Sequence, residues 1–534
     1  MPKYQARAEL RKHFPECFSV DNKQNRVWEI NVVVSDAQID WYRFAGRPQT
    51  SLATQLAIRD ELAAGEVAEG VSRLDRAINE WIIVERPPVD EYGTAVGWDL
   101  LVHMLRPIIG AFLFGRTHTW VLRFDKAAYV PPSKANIRAE RAKAASKSKI
   151  VPFEWDGTSR IVDIDLPLPP WASLNANRRA RNRALKECCE LIMLYFRHRA
   201  VGREFIIDGY DATSAKPHSI RYMGPSIGYM THQTSFGENK IGEADHALPF
   251  FAKLYQCAHG WSTLTRSRDT DITWLDLLHA DPDVIKNRFL HCPARRYFRI
   301  DDGTELTSVA ARALDRKEYR AVDEIIDVVK LRAAIHARLS PHLSRPIQSF
   351  VVGASAAVSD YVIGFPGVTL ARFIDAMLAH ADFIGDLVVE QSSSGSGIVV
   401  DRHAYGRLLD TAYALKWQCT ALLNRKTQYR DELREWVAAH NKSPKRATWH
   451  MPDDIAIHWR HLHTQWYALY MILGPIDPDL VPDPSTMGYR AQMSADGKLQ
   501  FFPVDFTTPL PATTATSAGD DASVVRQGSR AHRQ

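Results

Sequence analysis

Apolar positions along this chain fall into two periods. INVVV (Ile30–Val34) and HTWVLRF (His118–Phe124) are short runs rich in β-branched and aromatic residues, and each leads into an acid: Asp36 after one serine, Asp125 directly. STLTRSRDTDITWL adds a third run, with Asp269 and Asp271 read near the end of its strand. Between these runs, helical periodicity predicts helices over 51–82, 98–110, 135–148, 177–199 and 243–258. Strands alternating with helices predict an α/β fold, a largely parallel central sheet flanked by helices, with ligands at the carboxyl ends of the strands.

The segment 243–258 shows the helical period clearly. Ala244, Ala247, Leu248, Phe251, Leu254, Tyr255 and Ala258 form one stripe that Gly260 ends, which puts Glu243 and Asp245 in the first turn. Acids are favoured there by the helix dipole alone, so the pair has an ordinary explanation. Past residue 385 the pattern changes: Gln391–Gly397 (QSSSGSG) reads as a flexible loop, and 402–440 and 453–473 as helices rich in Trp and Tyr. From 506 the Thr, Pro and Ala-rich chain is expected to be disordered.

Composition adds bounds. A length of 534 residues suits about two to four domains, and 45% hydrophobic with 24% charged residues is ordinary for a soluble protein. Lys and Arg exceed Asp and Glu by only 67 to 62, so the distribution of charge matters more than the net +5. Six scattered cysteines without a CxxC pair suggest free thiols in a reducing compartment and argue against a structural zinc motif. The longest apolar run, LLVHMLRPIIGAFLFG, is broken by His103 and Arg106, and the N-terminus has no apolar leader. We therefore expect an intracellular protein without a membrane span.

Asp269 and Asp271, one residue apart, would share a face of a strand and repel unless a cation lies between them. Mg²⁺ and Mn²⁺ take oxygen ligands, and two-metal phosphodiester hydrolysis sets the ions about 3.5–4 Å apart, so several acids must converge. The chain supplies them in order: Asp36, Asp125, Glu243 with Asp245, Asp269 with Asp271, and Asp360. Asp40 is an alternative to Asp36. Lys134 and Arg141 follow Asp125 at a spacing of two helical turns.

That order resembles the flap endonuclease family, the structure-specific 5′ nucleases that include the XPG-type enzymes and viral relatives. VVVSDAQIDWYRF is similar to the family's first strand and metal-binding aspartate, and FDKAAYVPPSK with Arg141 to its second aspartate and gateway helix. GEAD, SRDTDI and SDYVIGFPGV resemble its internal motifs and the start of its helix–two-turn–helix. The sequence departs from the family at Pro2, where the family has glycine, and at Gly367-Val368-Thr369, where it has GxG. The resemblance implies a PIN-like nuclease core over 1–385, with a gateway helix over 134–149 and the helix–two-turn–helix over 358–385. A loop over 386–400, a helical region over 401–485 and a disordered tail over 506–534 would follow.

The resemblance further implies two Mg²⁺ or Mn²⁺ ions on Asp36, Asp125, Glu243, Asp245, Asp269, Asp271 and Asp360, and K⁺ at the helix–two-turn–helix. Lys134 and Arg141 would act on the scissile phosphate, and Arg138, Gly364 and Gly367 would hold nucleic acid. The substrate would be DNA with a 5′ flap or end, cut endo- or exonucleolytically, with RNA as the alternative. A monomer acting in the nucleus or at a viral replication site, with a replication or processing partner at its C-terminal region, completes the expectation. No nucleotide cofactor is needed, and no phosphate-binding GxxxxGK[ST] loop is present.

Other readings compete. A nuclease-like fold that only binds nucleic acid would carry the same motifs. GPSIG (Gly224–Gly228) matches the nucleophile elbow of serine hydrolases, which requires a helix immediately after it. The cluster Arg178, Arg179, Arg181, Arg183 and Lys186 is either a phosphate-binding face or a solvated one. His458, His461 and His463 lack a nearby acid or cysteine and are expected to pack in a helix with Trp459 and Trp466.

Overall fold

Strands buried on both faces read as unbroken apolar runs, because helices cover each side of a parallel sheet. The strands β2 (Val32–Asp36) and β3 (Thr119–Arg123) are of this kind, with every residue of β3 buried. The computed structural model describes residues 5–21, 30–44, 46, 94–124, 129–130, 150–164, 166–197, 203–208, 219–222, 229–232, 244–281, 283, 285, 287–306, 308–315, 317–357, 359, 362, 364–365, 367–390, 397–425, 427–440, 451–474, 480–493 and 499–503. The expected helices over 51–82 and 135–148 and the tail over 506–534 lie outside these residues, as do residues 391–396 of the expected loop. The chain forms two compact units, one of residues 16–128 and 138–330, the other of 1–15, 129–137 and 331–534.

The first unit is built on one sheet. Its main strands are β1 (Phe18–Asp21), β2, β3, β4 (Glu204–Asp208), β5 (Ser219–Tyr222), β6 (Tyr229–His232), β7 (Thr263–Arg266), β8 (Arg288–Arg299) and β9 (Tyr319–Asp327), with the short strand Glu305–Leu306 paired to β8. They lie in the order β1-β9-β8-β7-β2-β3-β4-β5-β6. The centre, β8-β7-β2-β3-β4, is parallel. Antiparallel strands extend it on both sides, β9 and β1 at one edge and the hairpin β5–β6 at the other. The predicted α/β class with a largely parallel, helix-flanked sheet therefore holds.

Helices cover both faces. On one, α2 (Gly97–Phe114) and α3 (Arg178–Arg197) pack on Val33, Trp120, Leu122, Phe205, Ile207 and Leu264, with α1 (Ala37–Arg43) adding Trp41. On the other, α4 (Ala244–His259) lies over β2, β3 and β7 and against α5 (Asp271–His279). The alternation of β-strand side chains explains the division, since Val33 and Val34 point to opposite faces.

The second unit is mostly helical, with α6 (Pro346–Ser355), α7 (Leu370–Ala379), α8 (Arg402–Lys416), α9 (Arg430–His440) and α10 (Asp454–Leu473). Asp401 and Asp453 cap α8 and α10, accepting hydrogen bonds from the amides of Ala404 at 2.6 Å and Ala456 at 2.7 Å. The predicted span 402–440 is interrupted after Lys416, where Gln418 adopts a left-handed φ of 56°. Among the described residues no helix is long and apolar enough to cross a membrane.

Candidate active site

Because β3, β2 and β7 are adjacent and parallel, their carboxyl ends share one edge of the sheet, the position where open α/β sheets bind ligands. Asp36 is the last residue of β2 and the N-cap of α1, where its Oδ1 accepts a hydrogen bond from the Gln38 amide at 2.9 Å. The strand thus runs two residues further than the apolar pattern suggested and includes the acid itself.

Asp269 and Asp271 reach the same edge differently from the expectation. The strand β7 ends at Arg266, so the two acids do not share a strand face. Ser267 Oγ accepts from the Asp269 amide at 3.1 Å, and Asp269 Oδ1 accepts from the Asp271 amide at 3.2 Å. These local bonds offer the backbone a turn in place of the ladder. Asp271 then opens α5 and is buried, while Asp269 stays half-buried.

Asp245 comes from the helix that precedes β7. Only three residues, Gly260 to Ser262, separate the end of α4 from the start of β7, so α4 runs back across the sheet and its first turn lies toward the carboxyl edge. Asp245 in that turn is half-buried. Asp36, Asp245, Asp269 and Asp271 therefore belong to one edge. Asp125, Glu243, Asp360, Lys134, Arg138 and Arg141 lie outside the described residues.

Asp40, the alternative to Asp36, has another partner. The Arg266 guanidinium grips it with both terminal nitrogens, Nη2 donating to Oδ1 at 2.8 Å and Nη1 to Oδ2. Arg266 Nη1 also donates to Ser35 Oγ at 3.3 Å. Burial opposes the ionisation of Asp40, yet the Arg266 charge and hydrogen bonds outweigh it and hold the carboxyl below its usual range. Burial likewise opposes the charge on Arg266, and Asp40, with Asp323 and Asp36 behind it, raises it above the ordinary arginine value.

Cationic and imidazole groups surround this pair. His103 Nε2 lies 2.9 Å from the Asp40 carbonyl oxygen, and burial pushes its pKa down although Asp40 opposes that. On β8 and β9, His291 Nε2 is 2.8 Å from Asp323 Oδ2. The sequence reading missed Arg266, His103, His291 and Asp323. Their one sequence signal was Arg266 at the end of the STLTR run, three residues before Asp269.

An all-carboxylate donor set suits a hard cation such as Mg²⁺ or Mn²⁺. Among the described residues, no group of three or more His, Cys, Asp and Glu side chains is assembled to hold a metal ion. In the second unit, Gly364 is half-buried and Gly367, at φ 73°, precedes α7 by three residues. The three histidines of α10 are packed, as expected. His461 and His463 donate from Nε2 to the carbonyls of Val400 and Gly488, each at 2.8 Å, and burial pushes both down to about 4.

The serine-hydrolase alternative loses its required context. Residues 224–228 lie outside the described residues, but the next element is the strand β6, paired antiparallel to β5, where a nucleophile elbow demands a helix. No protein-family model matches the chain, and no curated protein matches it.

Proposed function

We propose that the chain is a divalent-metal-dependent phosphodiester hydrolase related to the flap endonucleases, acting on DNA with a 5′ flap or end. The observation that carries this reading is the delivery of Asp36, Asp245, Asp269 and Asp271, from separate parts of the chain, to one carboxyl edge of a parallel sheet. Acids brought to one edge of a sheet repel as they approach, and a cation held between them offsets that repulsion.

In this reading Asp36, Asp245, Asp269 and Asp271 hold Mg²⁺ or Mn²⁺ together with Asp125 and Glu243. When bound, such ions make water acidic enough to serve as a nucleophile at neutral pH and offset charge on the leaving oxygen. Lys134 and Arg141 neutralise charge on the phosphoryl oxygens, and Arg138, Gly364 and Gly367 hold the backbone. Phosphate chemistry reads neither base nor sugar, so a flap-endonuclease-like RNA endonuclease is the alternative reading.

The test is cleavage of labelled 5′-flap DNA, nicked duplex and single-stranded RNA in Mg²⁺, in parallel with Ca²⁺. Cleavage in Mg²⁺ that Asp271→Ala abolishes, with nucleic-acid affinity retained, supports the reading. Binding without cleavage of any of the three in Mg²⁺ or Mn²⁺ points to a nuclease-like fold that only binds nucleic acid, and an Asp271→Ala variant that cuts normally removes that acid from the site.

A further inference from the structure

We propose that Arg266 is a positioning residue for Asp36, holding the chain on both sides of that aspartate, at Ser35 and at Asp40. The inference rests on the reading above only in the use it gives to Asp36; the grip itself is a matter of hydrogen bonds.

Asp36 ends β2 and caps α1, a helix of seven residues. A helix that short does not hold itself together in water, so the direction of its N-cap carboxylate depends on what anchors the helix. The apolar anchors Ala37, Ile39 and Trp41 are buried in the core. The polar anchor is Asp40, four residues beyond Asp36 and so on the same side of the helix one turn on. Two carboxylates at that spacing repel, and Arg266 removes the repulsion by bonding one of them with both terminal nitrogens.

Arg266 is only 4% exposed and comes from the neighbouring strand, where it is the register partner of Ser35. Its guanidinium reaches across that register to Ser35 Oγ and to Asp40, bracketing Asp36 from before and after. The next five residues of its own chain, Ser267 to Asp271, carry two of the other three acids of the edge. One side chain therefore ties the β2 arm of the acid edge to the β7 arm.

A competing role makes the opposite prediction. If Arg266 were only a counter-charge to the acids, its removal would strengthen cation binding by Coulomb's law, because a fixed positive charge would be gone. If it positions Asp36, removal weakens cation binding, on the scale of about 10–100-fold seen when groups supporting metal ligands are lost.

The experiment compares the full chain with Arg266→Met, Arg266→Lys and Asp40→Asn. Without metal, hydrogen exchange at the Gln38 amide, which bonds to Asp36 Oδ1, should speed up by about 10-fold or more in Arg266→Met and Asp40→Asn, less in Arg266→Lys, while β3 amides keep their protection. Titration with Mn²⁺ should then give weaker binding in the same rank order. If Arg266→Met does not fold, exchange at the Gln38 amide in the other two variants carries the comparison, because Asp40→Asn removes a negative charge and weakens cation binding under either role. Unchanged exchange at Gln38, or tighter Mn²⁺ binding in the variants, overturns the positioning role. A wild-type chain that binds no Mn²⁺ but whose Gln38 protection depends on Arg266 leaves the positioning of Asp36 standing and sinks the nuclease reading.

Discussion

Arg123 and Asp208 face each other across the parallel pair β3–β4 and form an ion pair of 2.7 Å in which neither side chain reaches solvent. Removing one member takes this counter-ion from a charge that stays buried. Asp208→Ala should therefore cost about 3–5 kcal/mol, whereas replacing both residues with apolar ones of similar volume should cost far less. Urea denaturation of the two variants beside wild type checks this. A cheap Asp208→Ala would mean that water reaches the Arg123 guanidinium.

Gly97 opens α2 against Asp163, Ile164 and Leu166, with its amide donating to the Leu166 carbonyl at 3.2 Å. A Cβ at this position would lie 1.7 Å from the Asp163 carbonyl oxygen, which is backbone and cannot swing away. Gly97→Ala should destabilise the first unit by about 3 kcal/mol, the upper end of ordinary overpacking. Thermal unfolding followed by circular dichroism reads this. An unchanged midpoint would show that the Asp163 backbone shifts freely.

Lys134 and Arg141 are assigned to catalysis in the proposed function, and that role differs measurably from simple attraction of the backbone. Loss of either to Ala should reduce single-turnover cleavage by roughly 10²–10³ at saturating substrate. A role confined to tracking phosphates predicts instead weaker binding, a shallower salt dependence and a nearly unchanged rate at saturation. Rates and affinities at two salt concentrations separate the two roles.

The parts of the fold legible in the sequence are those whose burial leaves a periodic trace. Val32–Asp36 and Thr119–Arg123 are buried on both faces and stood out as apolar runs, and the stripe of Ala244–His259 gave its helix to within one residue at each end. The strands β1, β8 and β9 carry charged and aromatic residues together and left no such trace. Asp269 and Asp271 were misplaced on a strand because the bonds that end it are made by Ser267 and Asp269 themselves, in a stretch without glycine or proline. The grip of Arg266 on Asp40 joins residues 226 positions apart, and no local pattern announces it.

His461 and His463 give the second unit a defined response to acid. Burial, the largest influence on both, outweighs their hydrogen bonds to the Val400 and Gly488 carbonyls and brings each from the ordinary 6.5 down to about 4. Carbonyl oxygens only accept, so each imidazole is neutral with its proton on Nε2. In the unfolded chain the same groups take up protons near their ordinary value, so between pH 6.5 and about 4 the unfolded state binds more protons than the folded one. Stability is complete above this window, falls as the pH drops through it, and loses nothing more to these residues below it. The loss is on the order of 3 kcal/mol for each histidine across the window. His461→Gln and His463→Gln keep an N–H donor and remove the titration, so their unfolding midpoints should fall less steeply than wild type between about pH 7 and about pH 5. Parallel slopes in wild type and both variants would show that these imidazoles reach water in the folded chain.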